Sequence, residues 1–168
     1  GYLPDLVDVL LGTWCRWGEG AGIRWQDVDL EAGTVTICGT LVQKAGWQAD
    51  TKTHEVRTLQ VPPFVLEVLQ RRRAEAAEGA VFVFEQGGKS LAYNSARTWL
   101  GRALKGSDLE WVTWHVLRKT TATFLDERLG IAEASLQLGH ASEAQTLSAY
   151  VARQSQAAFA EALEGLAG

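Results

Sequence analysis

Hydrophobic residues near the start of the chain recur at the spacing of a helix. Steps of three and four residues place such positions on one face of a helix, where they can pack against a core. The apolar positions that follow this pattern are Leu3, Leu6, Val7, Leu10 and Leu11. We therefore predict a first helix that ends at Arg16, before a run of glycines.

The next part of the chain has the pattern of short strands. The segment 34–37 (TVTI) follows a predicted turn at 29–33, and a weaker extended stretch covers 40–48. Apolar and polar residues alternate over 56–61, and this stretch ends at a pair of prolines. Because the three stretches are short and close together along the chain, they predict a small antiparallel sheet.

Most of the remaining chain is predicted to be helical. Pro63 indicates the start of a helix, because proline is favoured in the first helical turn. The arginines of 71–73 suit the negative end of that helix's dipole. The other predictions are a buried extended piece over 81–84, a loop over 87–90 (GGKS), and helices over 93–105, from Thr113 as N-cap to Gly130, over 132–138, from Ser142 as N-cap, and over 155–167.

The order of these elements predicts an α+β fold that is mainly α-helical, with one small three-stranded antiparallel sheet. Strands and helices do not alternate along the chain, which disfavours a doubly wound sheet. A chain of 168 residues is of the size of one domain, or of one domain cut from a larger protein.

The composition favours a soluble intracellular protein. The sequence has no apolar run of membrane-spanning length and no signal-peptide pattern. Cys15 and Cys38 are too few for a disulfide framework, and neither lies in a metal-ligand spacing. The net charge of −4, taken alone, argues against a nucleic-acid binder. Binding requires a local basic surface rather than a basic average, however, so the charge does not exclude it.

One predicted helix carries two polar side chains with a shared direction. His115 and Arg118 lie three residues apart in the stretch HVLRKT, which places them on the same face. Whether this pair forms part of a functional site depends on which other side chains can reach the same place. The other side chains of matching chemistry are Arg16, Lys52, His140 and Tyr150.

This set of residue types suits phosphodiester transfer with a protein nucleophile. Two arginines can hold the non-bridging oxygens of a phosphate and stabilise the charge of the transition state, as a metal ion does elsewhere. A tyrosine hydroxyl can attack phosphorus and form a covalent intermediate. A lysine can protonate the departing sugar oxygen, and histidines can assist in proton transfer.

The chain resembles the catalytic domain of the tyrosine recombinase (phage integrase) family. The resemblance covers nearly the whole chain, and its motifs come in the family's order. The matching stretches are LLGTWCRWGEGAGIRWQDVDLEAGTVTI at 10–37, TKT at 51–53 with RTLQVP at 57–62, HVLRKTTATFLDE at 115–127 and LGHASEAQTLSAY at 138–150. Two departures are an interval from Gly130 to His140 that is about two residues short, and a hairpin between Lys52 and Arg57 that is one residue short.

The resemblance implies a role for each of these side chains. Arg16 and Arg118 would clamp the phosphate, Lys52 would be the general acid, and Tyr150 would be the nucleophile. His115 and His140 would assist, and Glu19 would support the site. The nearby His54 is interpreted as a surface residue.

The resemblance also implies a reaction and its partners. The family cuts and rejoins double-stranded DNA through 3′-phosphotyrosyl intermediates, works as a tetramer on paired sites, and requires no metal or nucleotide cofactor. Residues 1–168 would be the catalytic domain, without the family's N-terminal DNA-clamping domain, of a cytoplasmic bacterial or phage-encoded enzyme. The tail 155–168 either closes this domain's own core or is exchanged between protomers.

Several alternatives stay open. Arg97, Arg102 and Lys105 fall at or near one face of a predicted helix, which is either a solvated face or a surface that contacts the DNA backbone. The chain as a whole could also be an inactive DNA-binding relic of the fold, an enzyme of the type IB topoisomerase kind, or a helical protein–protein module.

Overall fold

The structure, a computed structural model, describes residues 2–49 and 56–129. Lys52, His54, His140 and Tyr150 lie outside the described residues, as do the helices predicted over 132–138, from Ser142 and over 155–167. The fold is of the α+β kind that the sequence predicts. In chain order its elements are α1 (Tyr2–Thr13), α2 (Trp17–Ala21), a 3₁₀ turn (Trp25–Asp27), β1 (Val28–Asp29), β2 (Thr34–Ile37), β3 (Thr40–Val42), β4 (Gly46–Gln48), β5 (Arg57–Gln60), α3 (Pro63–Glu75), β6 (Glu85–Gln86), β7 (Lys89–Ser90), α4 (Tyr93–Leu104) and α5 (Trp114–Leu129).

The core forms around α1. This helix contacts α2, α3, α4 and α5. The predicted apolar stripe is confirmed by Leu6 and Leu10, which are buried in the main hydrophobic cluster. Sheet residues such as Val35 and Leu59 join the same cluster, so the helices and the sheet share one core.

A three-stranded antiparallel sheet is present, but its membership differs from the prediction. The strand order is β1-β2-β5, with Val35 opposite Leu59. The stretch 40–48 does not join this sheet; it folds on itself as the β3–β4 hairpin. The reason is local. Lys44 and Gly46 adopt positive φ angles of 71° and 78°, which turn the chain back on itself, so that β4 pairs with β3 and not with β2.

The loop predicted over 87–90 (GGKS) is the turn of a small hairpin. Gly87 and Gly88 have φ angles of 58° and 72° and connect β6 to β7. Two consecutive positive φ angles are what a tight two-residue hairpin turn requires, and glycine supplies them without strain. The neighbouring stretch 81–84 is only partly buried: Val83 and Phe84 enter the core, whereas Val81 is exposed.

The arginines near the end of α3 make specific contacts that the helix-dipole explanation does not include. Arg71 and Arg72 both donate to the buried carboxylate of Asp5, with nitrogen–oxygen distances of 2.9 and 3.1 Å. Arg72 also donates from Nε to the carbonyl oxygen of Val83 at 3.0 Å. The guanidinium of Arg73 lies over the ring of Trp25. The run therefore joins α3 to α1 and to the chain around Val83.

The Asp5→Ala variant is expected to lose about 3 kcal/mol of unfolding free energy in urea titrations at neutral pH, because it leaves the buried Arg72 guanidinium without its carboxylate. Burial alone raises the pKa of Asp5, but the hydrogen bonds from Arg71 and Arg72 outweigh it and hold the pKa below its usual 3.8. A lowered folded-state pKa means that this stabilisation is complete above pH 3.8 and is lost as the pH falls through the folded-state pKa.

Asp8→Ala is the matched control for Asp5→Ala, since Asp8 lies on the same helix and burial together with the charge of Asp5 raises its pKa. It should change the unfolding free energy by less than about 1 kcal/mol. Equal losses in the two variants would contradict the assignment of Asp5 as the buried ion-pair partner.

Two negative findings apply to the described residues. Within 2–49 and 56–129, no helix is long and apolar enough to cross a membrane. In the same ranges, no group of three or more His, Cys, Asp and Glu side chains is placed to hold a metal ion.

Candidate functional site

A short non-helical turn between α1 and α2 positions the first candidate residue. Trp14 has a φ of 46°, a left-handed conformation that a bulky residue rarely adopts. The helix therefore stops at Thr13, earlier than predicted, and Arg16 becomes the N-cap residue of α2 rather than the end of α1. Strained backbone of this kind recurs at functional sites, where the surrounding structure holds it in place.

Glycine residues allow helix α2 to pack closely against its neighbours. A Cβ atom on Gly18 would lie 2.6 Å from Oγ1 of Thr40 in β3, a distance that real Cβ atoms do not reach. The glycines of the WGEG stretch thus let α2 pack against β3 with little space between the backbones. This close packing fixes the direction of Glu19, the residue between Gly18 and Gly20.

Glu19 is the centre of the candidate site. Its side chain is only 2% exposed. Its Oε2 accepts a hydrogen bond from the backbone N–H of Arg16 at 2.9 Å, and its Oε1 accepts one from Nη1 of Arg16 at 3.2 Å. Arg57 donates from Nη2 to Oε2 at 2.9 Å. Nη1 of Arg118 lies 3.9 Å from the same oxygen. We call Arg16, Arg57, Arg118 and Glu19 the arginine cluster.

The second candidate arginine reaches the cluster from α5. Arg118 donates from Nη1 to the carbonyl oxygen of Trp14 at 2.7 Å. The left-handed turn at Trp14 therefore leads into Arg16 and also accepts a hydrogen bond from Arg118. The predicted N-cap of α5 is also in place, since Thr113 Oγ1 accepts a hydrogen bond from the backbone N–H of Val116.

The cluster carries more positive than negative charge. Three guanidinium groups face one carboxylate, which leaves a net charge of about +2 at neutral pH. Burial and the positive charge of Arg16 lower the pKa of Arg118. Burial alone raises the pKa of Glu19, but the hydrogen bond and charge of Arg57, together with Arg16, outweigh it and lower that pKa. An anion placed beside Arg16 and Arg118 would relieve the excess positive charge.

Arg16 is the most solvent-exposed residue of the cluster. The Arg16 side chain is 38% exposed, whereas those of Arg57 and Arg118 are 15% and 13% exposed. An incoming phosphate would therefore find Arg16 the most accessible of the three guanidinium groups. Such paired, partly buried guanidiniums can donate to two oxygens of one phosphate group.

Only some of the predicted site residues in the described part of the chain belong to this cluster. Arg16, Glu19 and Arg118 come together, as the sequence predicts. His115 lies one turn before Arg118 on α5, and its side chain is exposed to solvent. Arg97, Arg102 and Lys105 are also exposed, which is what both a solvated face and a DNA-contacting face require. The roles of all these residues, like those of Lys52, His140 and Tyr150, stay predictions.

Arg57 belongs to the cluster and was missed in the sequence analysis. The sequence carried a signal for it in the strand alternation of 56–61, because Arg57 shares its face of the strand with Leu59 and Val61. Leu59 and Val61 are buried, while Val56 points outward and is 68% exposed. An arginine on the inward face of a strand needs a buried carboxylate nearby, and Glu19 is that carboxylate.

Comparisons with known proteins agree on one family. The phage integrase family matches residues 3–157 of the chain. A XerC-like tyrosine recombinase of Caldanaerobacter subterraneus subsp. tengcongensis is 25% identical over 176 residues, which cover 88% of this chain and 45% of the relative. The chain thus spans less than half the length of that curated relative.

Solved structures of similar fold are recombinases and integrases. The Tn1549 transposon integrase in complex with circular intermediate DNA matches with a TM-score of 0.65 at 21% identity, over 82% of this chain and 51% of that one. The XerH site-specific recombinase bound to difH substrate matches with a TM-score of 0.62 at 23% identity, over 82% and 39% of the two chains. The match to XerA recombinase covers 98% of this chain and 61% of the XerA chain, with a TM-score of 0.60 and 19% identity.

Proposed function

Because the chain belongs to the phage integrase family, we propose that it is the catalytic domain of a site-specific DNA recombinase. It cuts and rejoins double-stranded DNA through a 3′-phosphotyrosyl intermediate. The observation that carries this proposal is the convergence of Arg16 and Arg118 on one solvent-accessible cluster of excess positive charge. The Tn1549 integrase and XerH, which share the fold, have structures with DNA bound.

The proposed chemistry assigns one step to each residue. Arg16 and Arg118 bind the two non-bridging oxygens of the scissile phosphate and stabilise the charge of the pentacoordinate transition state. The hydroxyl oxygen of Tyr150 attacks phosphorus, and the bond from phosphorus to the 5′ oxygen breaks. Lys52 gives its proton to that departing oxygen, while His115 and His140 assist in proton transfer, including removal of the proton that the Tyr150 hydroxyl loses as it attacks. Attack by a 5′ hydroxyl on the phosphotyrosine reverses these steps and rejoins the DNA.

The proposed partner is double-stranded DNA, bound by a tetramer on paired sites, as the family works. Arg97, Arg102 and Lys105 would contact the phosphate backbone and position the duplex without reading its sequence. Residues 1–168 would form the catalytic domain, and the tail 155–168 would be exchanged between protomers on DNA. The overall charge of −4 does not oppose this, because the arginine cluster, where the phosphate is proposed to bind, has three guanidinium groups around one carboxylate.

Covalent capture of DNA tests the proposed function. A library of nicked duplexes with randomised sequence on both sides of the nick is incubated with the chain in EDTA. Cleavage near the nick releases a short fragment that diffuses away, so the protein stays attached to DNA and migrates slowly after denaturation. We expect such adducts, enriched for one sequence. The complete absence of adducts would contradict the proposal and favour an inactive DNA-binding relic.

Strand exchange separates the proposed recombinase from a topoisomerase-like enzyme. Sequences recovered from the adducts are placed in pairs on linear duplexes, and recombinant products are sought on gels. The proposal predicts recombinants that require two sites. Relaxation of supercoiled DNA by single sites, without recombinants, would contradict it.

A further inference from the structure

The strongest feature that the proposed function does not use is the arginine at the start of β5. Arg57 pairs with Ile37 across the sheet, and its side chain turns inward from that edge. Its Nη2 donates to Oε2 of Glu19 at 2.9 Å and contacts Sγ of Cys15 at 3.8 Å. Arg57 is thus tied to the residue before Arg16 and to the carboxylate that Arg16 also binds.

Because Glu19 is buried, its ion pair with Arg57 stabilises it more than its ion pair with Arg16 does. Burying a carboxylate costs several kcal/mol unless a cation is buried with it. Arg16 is 38% exposed, so solvent screens its attraction for Glu19. Arg57 is 15% exposed and shares the burial of the carboxylate. The ion pair between Glu19 and Arg57 is therefore the fixed part of the cluster.

Glu19 in turn holds Arg16 in place through two hydrogen bonds. It accepts a hydrogen bond from the backbone N–H of Arg16 through Oε2, and one from the guanidinium through Oε1. Oε2 is also the atom that Arg57 binds. If Arg57 were absent, Glu19 would lose the 2.9 Å hydrogen bond that it accepts from a largely buried guanidinium. It could then rotate, and both the backbone and the side chain of Arg16 would lose their anchor.

We propose that Arg57 is a positioning residue of the phosphate site: it fixes Glu19, and Glu19 fixes Arg16 in the orientation that meets the scissile phosphate. This inference rests on the proposed function. In this proposal Arg57 does not contact the phosphate, because its side chain is only 15% exposed and donates to Glu19, whereas Arg16 is 38% exposed. Its main route to the reaction is through Glu19.

A double-mutant cycle tests this route of action. Arg57→Met is expected to lower the rate of covalent adduct formation about 100-fold, since a displacement of about 1 Å in a catalytic group has that effect. In a Glu19→Gln background, the same change is expected to lower the rate by less than about 3-fold, because the intermediary is already lost. An equal loss in both backgrounds would overturn the proposal and assign Arg57 a direct role.

The variants are chosen so that a folding defect cannot be mistaken for a positioning effect. Arg57→Lys keeps the positive charge and should restore part of the rate. Arg57→Met combined with Glu19→Gln removes both partners of the buried Glu19–Arg57 ion pair, so neither charge of that pair is left without the other. Circular dichroism gives the folded fraction of each. Rates per folded molecule that equal the wild-type rate would assign Arg57 a purely structural role and overturn the proposal.

Arg24→Met is the matched control. Arg24 is another partly buried arginine in an ion pair, with Asp27 at 2.7 Å, and its guanidinium lies over the ring of Trp47. Its loss removes a comparable set of contacts outside the arginine cluster. Its rate per folded molecule is expected to stay within about 3-fold of wild type. A 100-fold loss in this control would mean that the assay reports general damage, which would contradict the proposal.

A second readout separates this inference from the proposed function. Inorganic phosphate is titrated into the chain while NMR follows the Nε–H signal of Arg16. Arg57→Met is expected to weaken the phosphate response about 10-fold, and Arg24→Met to leave it unchanged. Absence of wild-type adducts together with this result would refute the proposed function alone. Wild-type adducts with an unaltered Arg16 response in Arg57→Met would refute the inference alone.

Discussion

Tyr150→Phe is expected to abolish covalent protein–DNA adducts in the capture assay. The substitution removes one oxygen atom and keeps the aromatic ring, so the nucleophile is lost with little change in packing. No other step in the proposed chemistry can attach the protein to DNA, because the phosphorus–oxygen bond of the intermediate is made by that hydroxyl. The measurement is the fraction of protein that migrates with DNA on denaturing gels.

Tyr93→Phe is the matched control for the tyrosine assignment. Tyr93 begins α4, and its ring packs edge-on against Trp17 at 4.9 Å, a contact that phenylalanine can keep. Its adduct yield should equal that of wild type. Adducts that persist in Tyr150→Phe, or that disappear in Tyr93→Phe, would refute Tyr150 as the nucleophile.

Arg118→Ala is expected to lower the rate of adduct formation about 1,000-fold. The side chain supplies preorganised donors and a positive charge to the transition state, and loss of one such group has an effect of this order. Arg118→Lys should fall between wild type and alanine, because lysine keeps the charge but lacks the planar pair of donors. Glu19 keeps Arg16 and Arg57 as partners in both variants, so the cluster should still form.

The control for Arg118 is Arg73→Ala. Arg73 is exposed at the end of α3, over the ring of Trp25, and belongs to none of the proposed site. Its rate should match wild type. A similar loss in both variants would indicate that removal of any positive charge weakens the reaction, which is not what the arginine cluster predicts.

The sequence predicted α1, α3, α4 and α5 and the convergence of the two candidate arginines, for identifiable reasons. Periodic apolar residues such as Leu6 and Leu10 report which face of a helix enters the core. The spacing within each motif fixes which residues share a face. Arg16 and Arg118 lie far apart in the chain, and their pairing was predicted from the resemblance and not from periodicity. The structure supplies the common partner, Glu19, that brings them together.

The features that the sequence did not predict depend on backbone conformation or on distant partners. The end of α1 is set by the left-handed φ of Trp14, a conformation that tryptophan has no intrinsic preference for. The β3–β4 hairpin depends on positive φ angles at Lys44 and Gly46. Arg57 was missed because its role requires a carboxylate 38 residues away, and local patterns carry no information about such a pairing.

The central claim is that Arg118 meets the negative charge of a DNA phosphate. It is tested by replacing one non-bridging oxygen of the scissile phosphate with a methyl group, which gives an uncharged methylphosphonate. Because the charge that Arg118 neutralises is then absent, the loss of about 1,000-fold in Arg118→Ala should shrink to less than about 10-fold on this substrate. An undiminished loss on the methylphosphonate would contradict the account.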